Sequence, residues 1–184
     1  MKLNGKLHTR SFALLIALLL IQAGGEVSGQ EAATAKSTKS APCSAPEYRQ
    51  FDFWLGDWET FELSAPDKVV ARNHVDSILD GCVIREVYEQ NDGLIGQSFT
   101  IYDATRKVWH QSWVTNRGKL LVVEGGMRGE RMVLTGTDRT TDGKSRQLRG
   151  IWIRVPRGVR ETAETSSDGK TWQPLFDIEF RPHK

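Results

Sequence analysis

Three alternating side chains in the middle of the chain are the residues best suited to hold a flat ligand. Trp109, Gln111 and Trp113 occupy every second position, so an extended strand points them to one face and sets an amide between two indoles. Such a row can stack on an aromatic molecule and orient it by hydrogen bonds. The alternative is that both tryptophans fill a core while Gln111 bonds to a neighbouring strand.

A charged pair later in the chain is a second candidate for ligand binding. Arg160 and Glu164 share one face of the predicted strand 159–165. An inward face would bury them, and a buried charge needs a partner, either within the protein or on a ligand. Val159 and Ala163 on the opposite face favour the other orientation, in which the pair lies in solvent.

Glu86 and Tyr102 are the two remaining candidate residues with polar side chains. Glu86 lies in a strand that is apolar on both faces, so that strand is predicted to be covered on both sides. Tyr102 shares a face with Ser98 and Gly96, where the missing glycine side chain can leave space for a ligand or can close a barrel corner. Glu86 with Tyr102, or Arg160 with Glu164, could catalyse an isomerisation or dehydration with one acid and one base.

Turn signals after residue 46 show which elements position these side chains. They recur at intervals of about 8 to 14 residues and separate about ten candidate strands, which is typical of an all-β domain. Hairpin-connected strands leave an exposed edge unless the sheet closes, so the sequence predicts an antiparallel up-and-down barrel. The seven predicted turns are at 64–67, 80–81, 91–93, 116–118, 142–143, 156–158 and 168–169.

The segment just before the first strand contains the only predicted helical turn. Between Pro46 and Leu55, the aromatic residues Tyr48, Phe51 and Trp54 fall about one helical turn apart. This turn is predicted to cap an open end of the sheet. Trp54 is therefore counted among the candidate ligand contacts.

Residues 1–29 are predicted to be a secretory signal peptide. Three basic residues precede an apolar run at 12–21, and small residues follow it. The run is about half the roughly 20 residues that cross a bilayer as a helix, so no stable membrane anchor is expected. The protein is therefore predicted to be secreted or periplasmic.

Residues 30–46 contain no large apolar side chain and are predicted to form a flexible tether, which leaves 47–184 as one β-barrel domain. Loss of residues 1–29 removes three bases and one acid, which cancels the formal net charge of +2. The charge therefore gives no indication of a nucleic-acid partner.

The chain has two cysteines, Cys43 and Cys82. In an oxidising compartment they can pair, so we predict a disulfide that fixes the start of the domain to the strand near Cys82. The alternative is a pair of inert buried thiols.

Five motifs occur in one order along the domain: FDFWLGDWE at 51–59, GC at 81–82, GQSFTIYD at 96–103, WHQSW at 109–113 and SSDGKTW at 166–172. With them, residues 48–181 resemble a family of uncharacterised bacterial secreted proteins, a domain of unknown function. The resemblance implies a lipocalin-like, calycin-type β-barrel and no particular reaction. The layout is also similar to fatty-acid-binding and nitrobindin-like barrels, a similarity that concerns fold alone.

The expected function is that of an exported barrel that binds a small apolar or aromatic molecule in its interior. No cofactor or metal site is predicted, because the sequence lacks HExxH, paired CxxC, GxSxG, P-loop and dinucleotide motifs. The alternatives are an isomerase or lyase that uses the same cavity, a filled barrel that acts as an interaction module, and a haem-binding nitrobindin-like barrel. The last would need an inward histidine, whereas His74 and His110 are predicted to face solvent.

Overall fold

The computed structural model describes residues 41–140 and 142–184. The predicted signal peptide at 1–29 and most of the predicted tether at 30–46 lie outside the described residues, so both stay predictions. In the part of the chain that the structure covers, no helix is both long enough and apolar enough to cross a membrane.

Within the described residues, ten antiparallel strands form one closed sheet. Each strand pairs with its neighbour in sequence, and the first also pairs with the last. This arrangement confirms the predicted ten-stranded up-and-down barrel, and closure leaves no unpaired sheet edge. The strands are β1 Gly56–Glu62, β2 Val69–Ile78, β3 Val83–Gln90, β4 Ile95–Asp103, β5 Val108–Thr115, β6 Leu120–Arg128, β7 Arg131–Arg139, β8 Ser145–Val155, β9 Gly158–Ser166 and β10 Gln173–Pro182.

The connections between strands follow the predicted turns. Each of the seven predicted turns lies where one strand gives way to the next. In the turn after β3, Gly93 has a φ of +86°, which favours glycine, and the Asp92 side chain accepts a hydrogen bond from the Leu94 N–H at 3.0 Å. The prediction missed two further connections, at 104–107 and 129–130.

The segment before β1 closes one end of the barrel. It forms two short 3-10 turns, Pro46–Arg49 and Asp52–Trp54, which confirms the predicted helical turn. Phe51 and Trp54 are fully buried, their rings stack with centroids 5.1 Å apart, and both contact Trp152. We call Phe51 and Trp54 the aromatic plug. Burial of two such rings is a large contribution to the stability of a small domain.

A disulfide joins Cys43 to Cys82, as predicted. It ties the segment before the plug to the loop between β2 and β3. Arg49 reinforces this connection, because it donates a hydrogen bond to the Gly81 carbonyl and forms an ion pair with Asp52 at 3.5 Å. The disulfide is consistent with an oxidising compartment.

Candidate ligand-binding site

The barrel contains a cavity of about 310 Å³. Glu62 and Gln90 are the last residues of β1 and β3, and Leu94 follows β3, so the cavity reaches the end of the barrel opposite the plug. Its volume is at the lower end of the range for small-molecule sites. Most of its wall is apolar or aromatic; the lining residues are Glu62, Val70, Glu86, Tyr88, Gln90, Leu94, Gln111, Trp113, Leu121, Val123, Leu148, Gly150, Trp152, Glu161, Ala163, Phe176, Ile178 and Phe180.

Buried polar side chains on four neighbouring strands, β2 to β5, form a hydrogen-bonded row along one side of the interior. The Glu86 carboxyl accepts hydrogen bonds from Asn73 Nδ2 at 3.0 Å and from Ser98 Oγ at 2.9 Å. Gln111 Nε2 donates to Thr100 Oγ1 at 3.0 Å and reaches Ser98 Oγ at 3.5 Å. All five side chains are buried. We call these five residues the polar row.

The polar row inverts the usual pattern of a strand that encloses a core. On β4, Ser98 and Thr100 point inward and are fully buried, whereas Phe99 and Ile101 point outward and are 46% and 36% exposed. Buried polar groups cost free energy unless they are bonded, and each of these side chains makes at least one hydrogen bond within the row, although Asn73 Oδ1 has no partner among the described residues. A mostly apolar pocket with a few oriented polar groups is typical of a binding site.

A second carboxyl, that of Glu161, faces the cavity from β9. In the closed ring, three strands separate β9 from β3 on one side and five on the other, so Glu161 and Glu86 lie on roughly opposite walls. Across the sheet, Glu161 is paired in register with Trp152 and Ile178 rather than with a base or an amide. Among the described residues that line the cavity there is no lysine, arginine or histidine.

Burial raises the pKa of both carboxyls. It raises the pKa of Glu86 to about 7, although the hydrogen bonds from Ser98 and Asn73 act in the opposite direction. Burial and then repulsion by Glu86 raise the pKa of Glu161 well above its ordinary value. Trp152 opposes this rise only in part, and its Nε1 has no hydrogen-bond partner among the described residues. At neutral pH, Glu86 is therefore close to its midpoint, and burial shifts the pKa of Glu161 in the same direction.

Two aromatic rings form another part of the cavity wall. Tyr88 and Trp113 meet edge-on with centroids 6.1 Å apart. Burial and the nearby glutamates raise the pKa of Tyr88, so its hydroxyl stays protonated and donates to Gln90 Oε1 at 3.4 Å. The Trp113 indole lies against Gly96, where an added Cβ would come within 2.1 Å of Trp113 Cζ2. Glycine at this position therefore makes room for the indole.

Six of the eight predicted ligand contacts point into the barrel, but only some of them reach the cavity. The cavity-lining ones are Glu86, Gln111 and Trp113. Trp54, Trp109 and Tyr102 lie at the plugged end instead. There, Trp109 Nε1 donates to Gln50 Oε1 at 3.1 Å, and the Tyr102 ring packs 5.8 Å from Trp109.

The other two predicted contacts, Arg160 and Glu164, lie on the outer wall, which is the outward of the two predicted orientations. They do not pair with each other. Arg160 forms an ion pair with Asp177 on β10, and Glu164 forms one with Arg149 on β8, both at 2.5 Å. The acid that β9 turns toward the cavity is Glu161, three positions before the predicted Glu164.

Glu161 is the functional candidate that sequence reasoning missed. The alternation of residues on β9 could have identified it. Val159 and Ala163 mark the apolar, inward face of this strand, and Glu161 lies between them on that face. A charged residue at the centre of an apolar face is rarely buried without a reason.

The described histidines lie outside the cavity. His110 Nδ1 is 2.8 Å from Glu124 Oε1 on the outer wall, and His74 is hydrogen-bonded to Asp57. No group of three or more potential metal ligands occurs among the residues that the structure describes. Neither His74 nor His110 therefore points inward, as the proximal ligand of a haem-binding barrel would have to.

Comparison with protein-family models found no matching family, and comparison with curated proteins found no match. The fold and the site therefore define the class of protein: a closed ten-stranded β-barrel with one plugged end and one acidic, aromatic cavity. The resemblance to a secreted family of unknown function stays a prediction.

Proposed function

We propose that the protein is an exported binding protein that holds a small, largely apolar molecule in the barrel cavity. The observation that carries this proposal is the composition of the cavity wall. Its surface is mostly aliphatic and aromatic, and it contains a few fixed polar groups in Glu86, Gln111 and Glu161. An apolar wall supplies binding free energy, and a few oriented polar groups supply selectivity.

Export is supported by two independent features. The predicted signal peptide at 1–29 would direct the chain across a membrane. The disulfide between Cys43 and Cys82 is of the kind that persists in secreted and periplasmic proteins. Mass spectrometry of protein recovered from the periplasm or the medium of its own cell tests export, and a chain found only in the cytoplasm with residue 1 intact would contradict it.

Binding in the cavity can be tested with a neutral fluorescent probe, N-phenyl-1-naphthylamine. Ala163 is buried and lines the cavity, so Ala163→Phe should fill the space that the probe needs. Thr162→Phe adds the same ring to the preceding residue of β9, which faces outward. This variant serves as the matched control. We expect the probe to bind the wild type and the control, and to bind Ala163→Phe at least about tenfold more weakly.

The same titration shows how the proposal could fail. Circular dichroism establishes that each variant is folded, and Leu121→Trp at the cavity wall replaces Ala163→Phe if that variant does not fold. Equal probe binding by the wild type and a folded cavity-filling variant would place the probe elsewhere and contradict the proposed site. Native mass spectrometry of protein purified under mild conditions can identify the natural ligand if it copurifies.

The two buried carboxyls favour a second candidate function, an isomerase or lyase. A pKa of about 7 suits Glu86 to act as a general base near neutral pH, and the raised pKa of Glu161 favours the protonated form that an acid on the opposite wall needs. In an isomerisation, Glu86 would take a proton from a substrate carbon while Glu161 returns one to another atom, so the number of protons is conserved.

The enzyme and the binding protein can be distinguished by isotope exchange. The copurified ligand is incubated in D2O with the wild type or with Glu86→Gln, and deuterium uptake is followed by mass spectrometry. Uptake with the wild type alone, at equal ligand binding, indicates an enzyme. Absence of uptake with both proteins, when both bind the ligand, indicates a binding protein.

A further inference from the structure

The charged groups around the cavity are all of one sign. Three acids line it, Glu62 at its open end and Glu86 and Glu161 deeper inside, without a basic residue among the described lining side chains. Basic groups do occur near the same end of the barrel, but Lys119 and Arg146 are both held by Asp138. They are therefore not available to neutralise the glutamates.

The carboxyls of Glu86 and Glu161 differ in the hydrogen bonds that they accept. Glu86 accepts hydrogen bonds from Asn73 and Ser98, which stabilise one charge at most. Glu161 has the Trp152 indole beside it in register, and this indole lowers the pKa of the carboxyl in part, although Trp152 Nε1 makes no hydrogen bond of good geometry among the described residues. A carboxylate in an apolar wall is costly unless a donor or a cation stabilises it, so a ligand with either group would be favoured at Glu161.

Aromatic faces complete an environment suited to a cation. Trp113 and Tyr88 lie on the Glu86 side, and Trp152 lies next to Glu161 in register. The electron-rich faces of such rings attract ammonium groups, most strongly where water is excluded. An anionic ligand such as a fatty acid would instead bring a third negative charge close to two carboxyls.

We propose that the cavity selects a protonated amine attached to an apolar or aromatic body, with its ammonium group bonded to the Glu86 and Glu161 carboxylates. This inference rests on the proposed binding function and adds the chemical class of the ligand. A primary ammonium group has three donors, which allows it to bond to both carboxylates and still contact an aromatic face. Because burial raises the pKa of both carboxyls, we expect uptake of the cation to release protons.

The inference can be tested with matched ligands that differ in one functional group. Tryptamine, tryptophol and indole-3-propionate share an indole and a two-carbon arm but end in an ammonium, a hydroxyl and a carboxylate. Phenethylamine, 2-phenylethanol and 3-phenylpropionate form a second, smaller series. Isothermal titration calorimetry of the purified protein at pH 7.5 should show that at least one amine binds about tenfold or more tightly than its alcohol, and that the acids do not bind.

Two glutamate variants distinguish recognition of the ligand's charge from recognition of its shape. Glu161→Gln should abolish the preference for the amine and leave the affinity for the alcohol within about twofold, because the shape of the wall is kept. Glu164→Gln changes the same residue type on the outer face of β9 and should leave the preference intact. Titration in two buffers of different ionisation enthalpy should show proton release on amine binding, and the affinity should fall as the pH is lowered from 8 to 5.5.

Each outcome has a distinct meaning. If no amine binds more tightly than its alcohol while N-phenyl-1-naphthylamine still enters the cavity, the selection of a cation is wrong and the binding function stands. If neither the indoles, the phenyl series nor the neutral probe binds, both proposals fail. An amine preference that survives in Glu161→Gln and in Glu86→Gln would place the cation site elsewhere and overturn the inference.

Discussion

The plugged end and the cavity end of the barrel are built from the same strands but are filled in different ways. β5 contributes a tryptophan to each end. At the plugged end, Trp109 is 2% exposed, lies 5.9 Å from the Phe51 ring and donates a hydrogen bond to Gln50. At the cavity end, Trp113 contacts Tyr88 and borders the cavity. The difference comes from the segment before β1, which supplies side chains to one end only.

The two ends also differ in polarity. The plug stacks aromatic rings against one another, which stabilises the fold. The cavity end holds the polar row, which includes the buried Glu86, and the half-buried Glu161 on the other wall, and carboxyls withdrawn from water oppose folding unless they are protonated or paired. A protein keeps such costly groups where function requires them. We therefore assign stability mainly to the plugged end and the proposed ligand selection to the cavity end.

The largest expected effect is loss of the plug. Trp54 is fully buried among Phe51, Trp152 and Phe180, so Trp54→Ala should lower the free energy of unfolding by about 3–5 kcal/mol. Trp113→Ala should cost less than half as much, because Trp113 already borders open space. Urea denaturation of both variants measures the difference, and equal costs would contradict the division between the two ends.

The next largest effect concerns the disulfide that holds the plug segment. Replacement of Cys43 and Cys82 by alanine should lower the free energy of unfolding by about 2–4 kcal/mol, because the loop of 39 positions is no longer closed in the unfolded chain. Urea denaturation of the wild type with and without reductant provides the comparison. A reductant that lowers the stability of the double variant as much as that of the wild type would show that the effect has another source.

Sequence reasoning predicted the plugged end better than the cavity end. Turn residues such as Asp92 and Gly93 act locally, so they revealed the strand boundaries without knowledge of the tertiary structure. The FDFWLGDW segment is dense in aromatic residues and precedes the first strand, which was sufficient to identify it as the cap. The cysteine pair followed from composition and predicted export.

The cavity end was harder to predict because its strands do not follow the usual alternation. On β4 the apolar side chains Phe99 and Ile101 face outward and the polar ones face inward. Whether a position on such a strand contributes to the cavity depends on partners far away in sequence, such as Glu86 and Gln111. The orientation of Arg160 and Glu164 stayed open for the same reason, since only the closed barrel determines which face of β9 is inside.

The cavity carboxyls should give the protein a pH dependence. Because Glu86 has a pKa of about 7 in the folded state, above its ordinary 4.5, the folded form binds the proton more tightly. Its contribution to stability is therefore complete below about pH 4.5 and falls by about 3 kcal/mol as the pH rises through 7. Glu86→Gln should remove the part of the slope that comes from Glu86 and leave the part that comes from Glu161, whose pKa is also raised, as measured by urea denaturation between pH 5 and pH 8.

The outer carboxyls provide a control for that measurement. Glu164 lies on the outer wall, so Glu164→Gln should keep the slope of the wild type. Asp168 and Glu124 have pKa values of about 2 in the folded protein, so their effect on stability appears as the pH falls below about 4.5 and does not overlap the window of Glu86. A slope that Glu164→Gln removes and Glu86→Gln keeps would contradict the assignment.

The smallest expected effect tests whether the polar row alone controls the protonation of Glu86. Asn73 and Ser98 both donate to this carboxyl and lower its pKa, Ser98 more strongly. Asn73→Ala should therefore raise the pKa of Glu86 further, Ser98→Ala should raise it more, and each should change the free energy of unfolding by about 1 kcal/mol. The carboxyl carbon shift of Glu86 in a pH titration by NMR reports the midpoint directly. Trp54→Ala, at a temperature where it is still folded, should leave that midpoint unchanged, because the hydrogen bonds of the polar row involve neither Phe51 nor Trp54. A shift as large as that in Ser98→Ala would show that the two ends of the barrel are electrostatically coupled.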